Sequence, residues 1–168
     1  MQAKRVFARF LIFGFFGLLL EVCSGAVGDA LRADWDLRGN TSLWMIFDYG
    51  LLGVVLMPLA RPMIRRRVPL VARAVVYMTG IFVVEYVSGV IFHFGMGLRV
   101  WNYDHLPYNL HGQIAPHFVI PWYLLGLAAE FLHRRVDTCA VALVRGFTAQ
   151  RLLELEPQPS IAERADAT

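Results

Sequence analysis

Five ionisable residues stand inside or at the edge of long apolar stretches: Glu21, Asp48, Glu85, His93 and His117. A charged side chain at the centre of a bilayer costs about 2.5–3.5 kcal/mol on insertion scales. Such residues therefore face protein or water, and they mark binding sites, proton relays or polar packing contacts. A cluster of polar and aromatic residues lies in the short connector "VWNYDHLPYNLHGQI", Val100 to Ile114, which carries Trp101, Asn102, Tyr103, Asp104, His105, Asn109 and His111. Side chains that both stack and hydrogen-bond suit the headgroup level and the cap of a polar cavity. Carboxylates below such a cap have the chemistry to hold a cation or a small polar solute.

The elements that must position these groups are four apolar runs, at about 10–28, 42–60, 74–98 and 113–132. Each approaches the roughly 20 residues a helix needs to cross the hydrocarbon core, and in lipid the helix satisfies its own backbone. Apolar residues make up 57% of the 168-residue chain and charged residues only 17%, which points to an integral membrane protein. The basic residues cluster before the first run (Lys4, Arg5, Arg9), between the second and third (Arg61, Arg65, Arg66, Arg67, Arg73) and after the fourth (Arg134, Arg135, Arg145, Arg151). By the positive-inside rule both termini are cytoplasmic. Topology thus accounts for the net charge of +3, with no call for a nucleic-acid partner. For Arg65–Arg67, binding of anionic lipid is a second reading.

The expected fold is an all-α integral membrane protein, a four-transmembrane-helix bundle over residues 1–135. An amphipathic helix on the cytoplasmic side is expected at 136–156, and a disordered tail at 157–168. Glu130, near the end of the fourth run beside His133 and Arg134, reads as a solvated interfacial charge. A cleaved signal peptide at 1–28 competes with the first span, but Glu21 in its apolar core argues against it. "LEVC" also has an acid where a lipoprotein cleavage box wants a small residue. Cys23 and Cys139 fall in different surroundings, and no disulfide between them is expected.

Two stretches match in order. "LLLEVCSGAV" and "FVVEYVSGVI" share Glu-x-x-Ser-Gly, followed by "LRADWDLRG" and "LRVWNYDHLPYNLHG", then "YGLLG" and "YLLG". This is the signature of a duplicated two-helix unit, whose copies keep the same sense in the membrane.

The residues that could act are therefore Glu21, Asp48, Glu85, His93, Trp101, Asn102, Tyr103, Asp104, Asn109 and His117. Asp48 is expected about two turns into its span, roughly 10 Å from the outer end, and all five membrane-level groups are expected to converge on one outer-leaflet zone. A metal site from Glu85, His93 and His117 suits imidazole and carboxylate chemistry, but no His-x-x-x-His or Glu-x-x-His spacing favours it, and no metal or other cofactor is expected. The sequence has no Gly-x-x-x-x-Gly-Lys-Ser/Thr phosphate loop and no Gly-x-Ser-x-Gly elbow.

The stretches "GFFGLLLEV", Arg38-Gly39 to Tyr49-Gly50, "VVEYVSG", and "WNYDHLPYNLHGQI" followed by Pro121-Trp122 resemble the ABC-transporter permease type IV (CmpB-like) family. They are also similar to the animal transmembrane protein 229 family. The resemblance covers about residues 7–135 and places Glu21, Glu85, Trp101, Tyr103, Asn109 and Gly112 at motif positions. Asn102 stands where the family has Asp in Trp-Asp-Tyr. "GNTSLWMIFDYG" lacks the prolines of the bacterial form, which favours the animal-like branch. The resemblance implies a multi-pass protein, of the plasma or inner membrane if bacterial.

Three functions fit, in this order. The first is a permease-like transport component that binds a small polar solute or cation at the carboxylates. It would act as a homodimer or with a partner membrane subunit, and with a separate ATPase chain if it belongs to an ABC system. The second is a non-catalytic scaffold. The third is a membrane enzyme acting on a lipid or headgroup, with Glu21, Glu85 and His117 sharing acid–base roles; a non-enzyme is preferred. In a background lacking Cys23 and Cys139, a cysteine at Asn40 or His105 should react with an impermeant thiol reagent from outside. One at Arg66 should not, and the reverse pattern would end the cytoplasmic-termini expectation.

Overall fold

The computed structural model describes residues 1–148, 150 and 151. Among these the chain is all-helical, with no β-strand and four α-helices: α1 (Gln2–Leu31), α2 (Met45–Arg65), α3 (Leu70–Val90) and α4 (Val119–Arg145). A short π-helical stretch, Ile91–Gly95, extends α3, and a single 3-10 turn, Pro116–Phe118, leads into α4. Each apolar run is a helix because consecutive apolar residues in lipid leave the backbone no other partner than itself. α1, α2 and α3 with its extension are long and apolar enough to cross a membrane, whereas α4 is less apolar.

The helices exceed the apolar runs where polar residues continue the pattern. α1 begins eight residues before Phe10 and takes in Arg5 and Arg9. α4 does not stop near residue 132. It runs unbroken to Arg145, where Gly146 takes the left-handed conformation (φ 66°) that ends it. The helix expected separately at 136–156 is therefore, up to Arg145, the continuation of α4. Its last residues and the tail expected at 157–168 lie outside the described ones. Nothing between 133 and 145 could break a helix, since neither Gly nor Pro occurs there.

α1 packs along α2 most extensively, α3 along α4, and α1 also lies against α4. The core joins Phe13, Leu56, Ala60, Tyr77, Ala129 and Val136. Small residues set the close approaches. Gly53 lies against the Arg9 backbone, Gly126 against Tyr77, and Gly17 under the Tyr49 ring. This is how small residues let helices meet without a large apolar interior. Phe15, Phe16, Leu19, Val83, Val87 and Phe131 point outward and are exposed, as an apolar solvent allows.

Two ends follow from the connectivity. The connector end carries the α1–α2 and α3–α4 loops; the terminal end carries the start of α1, the α2–α3 link and the close of α4. Ion pairs lace the terminal end. Asp137 of α4 accepts from Arg5 and, at 3.3 Å, from Arg9 of α1. The Arg5 guanidinium holds the Asp137 carboxyl below the usual carboxylate range. Glu130 is not solvated as expected. It is about 15% exposed, paired with Arg73 (Nε at 3.0 Å) and bonded by the Tyr77 hydroxyl. The α2–α3 link returns Arg73 to the level of Glu130, a neighbour that sequence distance conceals.

Adding a methyl at Gly17 would drive it into the Tyr49 ring, while the same change at Gly95 meets open space. Gly17→Ala should lower the stability of the detergent-solubilised protein by about 1–3 kcal/mol, read as melting temperature, and Gly95→Ala should leave it near the parent value.

Candidate functional site

The acids of the connector end are held by neutral donors. Glu85, 4% exposed, accepts from the Tyr103 hydroxyl at 2.9 Å and from Trp122 Nε1 at 2.8 Å. Tyr103 comes from the α3–α4 connector and Trp122 from the first turn of α4, so one carboxylate ties three segments. Glu21 accepts from Thr41 Oγ1 at 2.7 Å, again from the following connector. Asp48 Oδ1 accepts from Ser88 Oγ, one turn beyond Glu85, while Asp48 Oδ2 is buried without a partner. The single Ser88 hydroxyl hydrogen is shared with the Val84 and Glu85 carbonyls of its own helix. Among the described residues, none of the three acids makes an ion pair. Asp48 lies in the first turn of α2, shallower than the expected two turns, because the helix begins at Met45 and not at Ser42.

A cavity of about 70 Å³ opens between α2, α3 and α4. Leu52, Leu56, Leu59, Ile81, Val84 and Leu125 form its apolar walls, and Asp48, Tyr49, Glu85 and Trp122 line it as well. From Asp48 to Leu59 the lining of α2 covers about 16 Å at 1.5 Å per residue. An apolar chamber with a few placed polar groups is the usual form of a small-molecule site.

The rest of the connector serves mainly its own fold. Asn102 Oδ1 accepts from the Asp104 amide at 2.8 Å. Asn109 donates to the Leu106 carbonyl and accepts from the Gly112 amide, both at 2.8 Å. Trp101 Nε1 donates to the Gln113 carbonyl. Tyr103 N bonds the Gly112 carbonyl, and Leu110 pairs with Ile114. Gly112, at φ 68°, closes the turn with no room for a side chain beside Asp104 and Asn102. Of the connector residues singled out from sequence, Tyr103 alone reaches a membrane-level acid.

The two histidines do not join the acids. His93, in the π-helical stretch, contacts Gln113 at 3.0 Å and stacks on Phe94. His117, in the turn before α4, is exposed, sits edge-on to Phe118 and makes no side-chain hydrogen bond among the described residues. The expected convergence of five groups thus reduces to the acids. Trp122, Ser88, Thr41 and Gln113 were not among the predicted site residues. Gln113, 2% exposed, packs on Gly89 and bonds the His111 carbonyl. The sequence signals for Ser88 and Trp122 were the repeated Glu-x-x-Ser-Gly and the Pro121-Trp122 pair.

Membrane-length apolar helices around one buried and two half-buried acids, none in an ion pair among the described residues, define an α-helical membrane protein with a polar interior level. The chain belongs to the family described as "Putative ABC-transporter type IV", whose model matches residues 8–151. No solved structure matches the chain.

Removing either donor should leave Glu85 under-bonded at a buried position. Tyr103→Phe and Trp122→Phe should each destabilise the protein by about 1–3 kcal/mol, measured by thermal unfolding in detergent. Unchanged melting temperatures would show that the carboxylate draws no stability from these bonds.

Proposed function

We propose that the chain is a permease-like membrane component of a transport system, binding a small polar solute or cation at Glu21, Asp48 and Glu85. The observation that carries this is Glu85. It is buried, bonded only by neutral donors, and lines an apolar cavity. A buried acid without a basic partner is a costly feature in a membrane helix, and function is the usual reason for keeping one. The leucine-rich walls favour a cation with an apolar body over a strongly hydrated one. Family membership supports the transport class.

In this reading all four helices cross the membrane as a bundle, with both termini cytoplasmic, the connector end outside, and the plasma or inner membrane as location in a bacterium. The bundle is a duplication of α1–α2 in α3–α4. Glu21 lies ten residues before Leu31 and Glu85 ten before Gly95. Each accepts from its own following connector, and Gly25 and Gly89, four residues beyond each acid, both pack against that connector. Four helices are few for a complete pathway, so a second copy or a partner membrane subunit completes it. ATP hydrolysis, if the system is of the ABC kind, belongs to a separate chain.

A scaffold reading rests on the same bonds, because Glu85 and Asp48 also tie helices together. Glu85→Gln separates the two by keeping the shape and removing the charge. Purified protein should be stabilised by one of tetramethylammonium, choline or sodium, by about 2.7 kcal/mol at roughly a hundredfold above Kd, read as a rise in melting temperature. Glu85→Gln should fold and lose that gain, and Glu85→Leu should lose about 1–2 kcal/mol of stability outright. A parent protein indifferent to all three cations, with Glu85→Gln equally stable, would put the scaffold first.

A further inference from the structure

The terminal end holds a second cleft, of about 340 Å³, between α1, α2 and α4. Arg5, Arg61 and Arg145 line it, with Val141 and Val144 as its apolar wall. The local charge is unbalanced. Asp137 serves two guanidiniums, those of Arg5 and Arg9. Arg9 is itself 8% exposed, with its Nε unbonded. Arg61 and Arg145 have no carboxylate partner among the described residues. Four arginines from three helices thus stand around one acid, which engages only two of them.

We propose that this cleft binds a phosphate-bearing anion, Arg61 and Arg145 supplying the free guanidiniums and Arg5 the third side. Guanidinium forks match phosphate oxygens two at a time. The excess positive charge gives an anion a binding gain that a neutral headgroup lacks. The valine wall leads from the charged rim toward the outward apolar face of α4, where Leu143 is exposed, so an acyl chain has a surface to follow. Basic pockets between membrane helices on the cytoplasmic side recognise phospholipid headgroups in this way. The site is independent of the solute reading, since it shares no residue with Glu21, Asp48 or Glu85. The topology signal in these arginines does not explain the cleft, because the positive-inside bias requires no particular arrangement of charge.

The test uses the full chain in neutral detergent. Short-chain phosphatidylglycerol, short-chain phosphatidylcholine and inorganic phosphate are titrated separately, with melting temperature as the readout. The expected result is a saturable rise with phosphatidylglycerol that phosphatidylcholine does not give. A rise with inorganic phosphate as well assigns the binding to the phosphate group itself; a rise with phosphatidylglycerol alone assigns it to the anionic lipid. Arg61→Gln and Arg145→Gln, both at exposed positions, should each weaken binding about fivefold, the change that matches about 1 kcal/mol per arginine. Arg66→Gln, which does not line the cleft, should leave it within about twofold, as a screened surface charge does. No preference over phosphatidylcholine from either anion, or an equal loss in Arg66→Gln, overturns the proposal.

Discussion

The structure depends on a carboxyl group buried from water and bonded by no basic side chain among the described residues. Glu85 sits at 4% exposure with a phenol and an indole as its donors. Neutral donors can satisfy carboxylate lone pairs without cancelling the charge, which distinguishes this acid from Glu130 and Asp137, where arginines do both. The consequence for the fold is positional. Tyr103 can reach Glu85 only if the α3–α4 connector folds back over the end of α3. The bonds of Asn102, Asn109 and Trp101 make that connector a fixed shape. The consequence for chemistry is that a carboxyl group without an ion-pair partner lines, with Asp48, a chamber walled mainly by apolar side chains.

The same logic divides the molecule into two unlike ends. At the connector end Asp29 and Asp36 pair with Arg32 and Arg38, but Glu21, Asp48 and Glu85 meet only hydroxyls and an indole. At the terminal end, acids are fully engaged by arginines and the surplus is positive. Partly buried ion pairs of the second kind are weak evidence of stability, because desolvation offsets much of their attraction. Their clearer role is register. Asp137 locks α4 to α1, and Glu130 locks α4 to the start of α3, so the rotation of α4 is set at its far end. That rotation is what turns Trp122, about two turns before Glu130, toward Glu85. The ion pairs below and the neutral network above are therefore one mechanical unit along α4.

Much of the helical framework was legible because apolar runs of membrane length admit few other structures. The acids were legible for the same reason, since ionisable residues in such runs stand out. What stayed hidden depended on direction. His117 and Trp122 are five residues apart, and of the two only His117 is expected from sequence to face the polar zone. The 3-10 turn at Pro116–Phe118 delays the start of α4, which leaves His117 exposed before the helix and brings Trp122 inside. The polar residues of the connector looked available to a cavity, yet most are consumed by the turn itself. Composition does not distinguish an asparagine that binds a solute from one that closes a loop. Glu130 was misread for a related reason. Its partners, Arg73 and Tyr77, are more than fifty residues away, and nothing local marks them.

The two stretches sharing Glu-x-x-Ser-Gly show how similar sequence can carry different loads. Ser88 bonds Asp48 across the α2–α3 boundary, whereas Ser24 bonds the Leu20 carbonyl within its own helix and is exposed. Glu85 has two donors and Glu21 one. Gly89 admits a glutamine and a tryptophan, while Gly25 meets the backbone of Gly39. The second stretch draws its polar neighbours from α2 (Asp48), from α4 (Trp122) and from the α3–α4 connector (Tyr103, Trp101 and Gln113). The shorter α1–α2 connector, Arg32–Trp44, lays Gly39 flat against the Val22 backbone. Of two similar acids, Glu85 thus gathers donors from the connector and from α4, while Glu21 keeps a single tether to its own connector.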